Sequence, residues 1–162
     1  MAILEKIKKF SFNIASIGGL GRWKTGNFVA SLLAFPLLAV DRILYNFSST
    51  LFYWFVALSL GFGWLITYFA LKFISDEYPS SIVINKVIGM MITFAFIPLK
   101  WKLMVFGFIF FHIVDFFRPI LLREGLGRKI NELPFGLGIL AGDIVSGVIC
   151  NVFLQLIVWL MV

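Results

Sequence analysis

Residues 51–73 read LFYWFVALSLGFGWLITYFALKF, with no charged side chain before Lys72. A helix of about 20 apolar residues is long enough to cross the hydrocarbon core of a bilayer. The whole chain has the same character, because 61% of its 162 residues are hydrophobic and only 14% are charged. Soluble domains are usually about a quarter charged. We therefore expect an all-α, polytopic membrane protein.

Four more apolar segments accompany this span, and they predict a bundle of four to five transmembrane helices. The first of them contains Pro36 and ends near Asp41 and Arg42, so it is either bent or too irregular to span. The segments cover residues 28–45, 81–99, 103–122 and 135–162. Polar loops are expected at 75–81 and 123–134, and a tight turn at 100–102. No composition shift divides the chain, so 1–162 is predicted to be one membrane domain.

The N-terminal residues 1–16 are predicted to form an interfacial amphipathic helix ahead of the bundle at 17–162. Lysines alternate there with apolar residues at spacings of three and four, which is typical of a helix lying on an anionic membrane surface. The apolar positions are Ile3, Leu4, Ile7, Phe10 and Ile14, and the basic ones are Lys6, Lys8 and Lys9. The stretch has no continuous apolar core with a cleavage site, so it is not read as a cleavable signal peptide.

The net charge of +6 is interpreted as a topology signal, and no nucleic-acid partner is expected. If all five segments cross, ten basic residues fall on the side of the N-terminus and three on the other side. The three are Arg42, Lys100 and Lys102. Basic residues are enriched in cytoplasmic loops, so the N-terminus is predicted to be cytoplasmic.

Ionisable side chains inside apolar segments are costly and suggest a site. They are Lys86, His112, Asp115, Arg118 and Asp143, with Asn85 beside Lys86. Counting about 1.5 Å per residue from the nearest loops places Lys86, Asp115 and Asp143 at a similar depth, roughly 10–14 Å from the cytoplasmic boundary. We therefore predict that they face one another in a shared internal cavity. The pattern fits an internal salt-bridge cluster as well as it fits a working site.

A stripe of small residues on the last segment, Gly138, Gly142 and Ser146, is spaced four apart. Such a stripe predicts close approach of another helix and needs no catalytic explanation.

Three stretches resemble the phosphatidylglycerophosphatase A family of bacterial inner-membrane enzymes. SSIVINKVIGMMITF (80–94) is similar to that family's Ser-Ile-Val-x-Asp-Glu-x-x-Gly-Met helix. FHIVDFFRP (111–119) resembles its Phe-Arg-x-x-Asp-x-x-Lys-Pro segment, and GLGILAGDIVSG (136–147) its Gly-x-Gly-x-Met-x-Asp-Asp-x-x-Ala-Gly segment. The resemblance implies a membrane fold that removes the terminal phosphate of phosphatidylglycerophosphate with Mg²⁺ held by acidic residues.

The acidic pattern is only partly retained. Asp115 and Asp143 stand at acidic positions of the family, whereas Asn85 and Lys86 replace its Asp-Glu pair and Gly142 replaces the first residue of its Asp-Asp pair. The resemblance also places His112 at an arginine, Arg118 at a lysine and Asn27 at the threonine of a glycine loop. An ammonium at a metal-binding glutamate competes with the cation, so we expect neither a metal nor another cofactor.

The leading hypothesis is a catalytically degenerate member that serves as a structural or accessory membrane subunit, with other membrane proteins as its partners. It would bind an anionic phospholipid headgroup through Lys86, Arg118, Asn85 and Asn27. The alternative is an active Mg²⁺-dependent phosphatase that uses Asp115, Asp143 and His112, the two aspartates as residual metal ligands. A small transporter is a third hypothesis, which the lack of an internal repeat disfavours.

Overall fold

The computed structural model describes residues 2–72, 81–121, 123–124, 126–131 and 133–160. Within these ranges every regular element is helical, and the chain forms an all-α bundle as expected. The helices are α1 (Ala2–Ala15), α2 (Gly26–Leu32), α3 (Ala34–Phe47), α4 (Ser49–Leu71), α5 (Ile84–Thr93), α6 (Trp101–Leu121), α7 (Leu126–Asn131) and α8 (Leu137–Leu160), with a short 3₁₀ turn at Leu20–Arg22.

Four stretches of helix are long and apolar enough to cross a membrane: Gly26–Asn46, Tyr53–Leu71, Trp101–Ile120 and Leu137–Leu160. The prediction of a polytopic membrane protein is therefore confirmed. The predicted second, fourth and fifth segments agree with α4, α6 and α8 to within a few residues.

The first span is bent, as its proline predicted. The helix breaks at Leu33, three residues before Pro36, and resumes as α3. Proline has no N–H to offer the carbonyl four residues earlier, and its ring crowds that carbonyl. The two halves together still cover the length of a span.

The third segment differs from its prediction, because α5 has only 10 residues, or about 15 Å of helix. After Thr93 the backbone turns irregularly through Phe96 and Ile97 before α6 begins. The end of this irregular stretch lies beside α3, where Nη2 of Arg42 donates to the carbonyl of Ile97 at 2.5 Å. The segment therefore reaches from one end of the bundle to the other as half a helix followed by non-helical backbone. Sequence reasoning expected the irregular segment to be the first one.

The short helix α5 is the centre of the molecule. Eight of its ten residues are buried, including Asn85 and Lys86. The main core forms around it, where Val87, Met90 and Phe94 pack against residues of α3, α6 and α8. Helices that carry polar groups in a membrane protein normally turn them inward, and a helix surrounded by others can do so on every face.

The predicted amphipathic helix is present as α1, and it packs on α4 through Phe12 and Ala15, against Ile66 and Ala70. Its other apolar residues, Ile3, Ile7 and Phe10, stay exposed. The location of this helix on a membrane surface stays a prediction.

Of the two predicted polar loops, the one at 75–81 lies outside the described residues except for Ser81. The other contains the short helix α7, which sequence reasoning did not expect.

Candidate functional site: a buried cluster of ions

Four ionised side chains from three helices meet near one end of the bundle. Lys86 comes from the first turn of α5, Asp115 and Arg118 from the end of α6, and Asp143 from the second turn of α8. The predicted convergence of Lys86, Asp115 and Asp143 is confirmed. Two cations and two carboxylates give the cluster no net charge.

Lys86 contacts both aspartates of this ion cluster. Its Nζ donates to both carboxylate oxygens of Asp115 at 2.8 Å and to Oδ1 of Asp143 at 2.6 Å. An ammonium has three N–H donors, and these three contacts use all of them. The Lys86 side chain is only 7% exposed, so its charge is held almost entirely by the two aspartates.

Arg118 and Asn85 complete the contacts of Asp143, which is fully buried. Nη1 of Arg118 lies 2.7 Å from Oδ1 of Asp143 and 3.3 Å from Oδ1 of Asp115. The amide of Asn85 donates to Oδ2 of Asp143. The other amide atom, Oδ1 of Asn85, is buried without a hydrogen-bond partner in the described part of the chain.

Close packing of α5 on α8 brings these groups together. A Cβ on Gly147 would lie 2.5 Å from the carbonyl oxygen of Gly89, and a Cβ on Gly89 would lie 2.8 Å from the carbonyl oxygen of Asp143. The predicted close approach therefore occurs, but it is centred on Gly147 and not on the stripe of Gly138, Gly142 and Ser146.

Gly142 has another neighbour. A Cβ at this position would lie 2.8 Å from Nη1 and 3.1 Å from Cζ of Arg118. The guanidinium therefore fills the space that a side chain at 142 would enter. In the family pattern that this segment resembles, position 142 is an aspartate. The Arg118 guanidinium therefore lies beside a position where that carboxylate is missing.

His112 is turned away from the ion cluster, although it shares α6 with Asp115. Its Nε2 lies 2.9 Å from Oγ of Ser31 on α2, and its ring stacks on Phe28 with the centroids 3.9 Å apart. The geometry gives His112 a packing role between α2 and α6. Asn27, the remaining predicted site residue, is exposed in the first turn of α2.

Four backbone N–H groups of the glycine loop (residues 18–26, ahead of α2) donate to acceptors in the same part of the chain. The N–H groups of Gly18, Gly21 and Gly26 donate to carbonyls of Asn13, Ser16 and Trp23. The N–H of Gly19 donates to Oγ of Ser16. A phosphate cradle needs several free N–H groups that point at one spot, and these four amides are already used.

The ion cluster does not fit Mg²⁺. Each of the four carboxylate oxygens of Asp115 and Asp143 already accepts from Lys86, Arg118 or Asn85. Mg²⁺ demands near-octahedral oxygen ligation and is usually bound by carboxylates. Among the described residues no three of His, Cys, Asp and Glu come close enough to hold a metal. The single free oxygen, that of Asn85, does not replace the missing carboxylates.

Salt bridges join Lys86, Arg118, Asp115 and Asp143 where the shared cavity was predicted. A separate, open cavity lies on the opposite face of α5.

Sequence reasoning missed Asn151 on α8. Its Nδ2 donates to the carbonyls of Thr93 and Ala95, at 3.1 and 2.7 Å, where α5 breaks. An amide inside the apolar run of α8 was the available signal, since polar side chains in a span mark an internal partner.

A family model described as phosphatidylglycerophosphatase A matches residues 13–158. No curated protein and no solved structure matches the chain. The match covers all four members of the ion cluster and excludes most of α1.

Proposed function

We propose that this chain, which belongs to the phosphatidylglycerophosphatase A family, does not hydrolyse phospholipid phosphate and acts as an accessory subunit in the membrane. The observation that carries the proposal is the set of contacts around Lys86, whose ammonium takes three of the hydrogen bonds available to Asp115 and Asp143. The proposed location is the bacterial inner membrane, with the ion cluster toward the cytoplasm.

Charge explains why this arrangement opposes the family reaction. Removal of a phosphate group requires a cation that neutralises the developing negative charge and stays mobile enough to bind the substrate oxygens. A phosphate that reached this cluster would have to displace a carboxylate from Lys86 or Arg118. Because the cluster is neutral, the displaced carboxylate would lose part of its charge compensation inside the protein, which is costly.

An anionic phospholipid remains the proposed ligand. Arg118 is the most accessible cation of the cluster, with a side chain 25% exposed, and Asn27 is exposed on α2. These two positions are better placed to meet a headgroup than Lys86 or Asn85, which are buried.

The active phosphatase is the second candidate, favoured by family membership and by the two retained aspartates. The two candidates differ in one assay, the release of phosphate from phosphatidylglycerophosphate by the purified protein with Mg²⁺. We expect no release above that of the Asp115→Asn and Asp143→Asn variants. Robust release that both substitutions abolish would establish an enzyme and refute the proposal.

A further inference from the structure

A cavity of about 560 Å³ lies on the face of α5 opposite the ion cluster and is open on one side. Ile84, Val87, Ile88 and Met91 line it from α5. At about 100° per residue these four side chains share one face, and Asn85, Lys86 and Gly89 point the other way. The cavity is called the α5 groove below.

The walls of the α5 groove are almost entirely apolar. Phe55, Ser59 and Gly63 close it from α4, and Leu33 and Leu37 close it from the first span. The hydroxyl of Ser59 already donates to the carbonyl of Phe55, at 2.8 Å. Apolar cavities do not hold water, and a volume of 300–1,000 Å³ is typical of ligand pockets. A ligand of this groove is therefore expected to be hydrocarbon.

The α5 groove is long enough for part of a lipid chain. Its lining runs along α5 from Ile84 to Met91, which is about 10 Å of helix rise. One leaflet contributes about 15 Å of hydrocarbon to a bilayer. The groove also begins near the end of α1 and the glycine loop, where Asn13 and Gly18 are its polar border.

Basic residues lie on the same helix and loop as that border. Lys6, Lys9, Arg22 and Lys24 are exposed on α1 and the loop that follows it. The guanidinium of Arg22 also lies over the ring of Phe12, 5.5 Å from its centroid. Each basic residue near a membrane surface contributes about 1 kcal/mol of attraction to anionic lipid. The charge at this end therefore complements an acidic headgroup.

We propose that the α5 groove binds one acyl chain of an anionic phospholipid, whose headgroup lies against the basic residues of α1 and the glycine loop. The site is separate from the ion cluster, so it does not depend on whether the chain hydrolyses a lipid. A smaller cavity of about 30 Å³ adjoins the groove at Ser59, Ile88 and Met91.

The test uses phosphatidylglycerol with a photoreactive diazirine near the end of one acyl chain, added to the protein in nanodiscs. Mass spectrometry should find labelled residues within 55–63 and 84–91. Ser59→Phe and Leu37→Trp place bulk in the groove and should reduce this labelling at least fivefold. The matched controls Leu58→Phe and Val40→Trp alter exposed positions of the same helices and should leave it unchanged.

Each outcome decides the proposal. Melting temperatures within a few degrees for each pair of variants show that lost labelling reflects a filled groove. If Ser59→Phe does not fold, Leu37→Trp and the labelling map of the unmodified protein still decide. Label confined to residues outside the lining of the groove, or unchanged by both substitutions, would refute the site. Equal labelling by phosphatidylcholine with the same chain would refute the basic headgroup site, as would label confined to an interface between two copies. Phosphate release is measured separately, so a failure of either proposal is recognised independently.

Discussion

At the scale of single residues, Lys86 joins two carboxylates, because its Nζ contacts both Asp115 and Asp143. By the resemblance to the family pattern, it stands where that pattern has a metal-binding glutamate. Arg118 lies where a side chain at Gly142 would be. The two departures from the family pattern are therefore parts of one neutral arrangement.

The sequence predicted this meeting because depth in a membrane helix can be counted from its loops. The direction of His112 could not be predicted in the same way. It lies three residues before Asp115, about 60° away around α6, and the choice between the two directions depended on Ser31 and Phe28 of α2. Those partners are brought near only by the tertiary fold.

Removing the ammonium should destabilise the protein strongly. Lys86→Met keeps most of the side-chain volume but leaves two buried carboxylates with Arg118 as their single cation. Breaking a buried ion pair from one side typically costs 3–5 kcal/mol, roughly. Reversible unfolding in detergent, monitored by circular dichroism, measures the loss. Lys100→Met, at an exposed position, is the control and should change the free energy of unfolding by less than about 1 kcal/mol. Equal effects of the two substitutions would contradict the ion cluster.

At the scale of elements, the third segment combines the 10-residue helix α5 with the non-helical backbone that follows it. Non-helical backbone inside a bilayer is tolerated only where other parts of the protein satisfy its polar groups. Here Asn151 donates to two carbonyls after the break and Arg42 donates to that of Ile97. Periodicity and hydropathy describe apolar length but not these donors, which is why a full helix was predicted at 81–99.

Asn151 should therefore be a structural requirement of the break. Asn151→Leu keeps the shape of the side chain and leaves the carbonyls of Thr93 and Ala95 without this donor. We expect a loss of about 1–3 kcal/mol in the free energy of unfolding, the cost of an unsatisfied buried polar group. Val152→Ala, at the next position of α8 and exposed, should cost less than about 1 kcal/mol. Hydrogen exchange at residues 94–97 should rise in the first variant alone. Unchanged exchange in Asn151→Leu would show that the break is held by other groups.

At the scale of the whole molecule, different charged residues lie at the two ends of the bundle. Arg42 bonds to the backbone of Ile97, so it lies at the end where Lys100 precedes α6. The ion cluster lies toward the opposite end, in the first turns of α5 and α8 and the last turns of α6. The structure therefore places Arg42 and the ion cluster toward opposite ends of the bundle. The side of the membrane that each end faces is inferred from the positive-inside rule.

Cysteine labelling measures this orientation. In a Cys150→Ala background, which removes the buried native thiol, Glu124→Cys should react with an impermeant maleimide only after the cytoplasmic side is opened. Trp101→Cys, at a position 70% exposed, should react from the outer side of intact cells. The reverse pattern would place the ion cluster toward the outer side and remove the cytoplasmic assignment.

The central claim is that Lys86 and Arg118 have taken the coordination of Asp115 and Asp143 away from a metal. Binding of Mn²⁺, an oxygen-seeking substitute for Mg²⁺, to the purified protein measures this claim without any requirement for catalysis. Electron paramagnetic resonance of free Mn²⁺ should show no more binding to the unmodified chain than to the Asp115→Asn/Asp143→Asn double variant. The Asn85→Asp/Lys86→Glu/Gly142→Asp variant should gain a site if Arg118 moves aside. A stoichiometric Mn²⁺ site in the unmodified chain, lost in the double variant, would contradict the account.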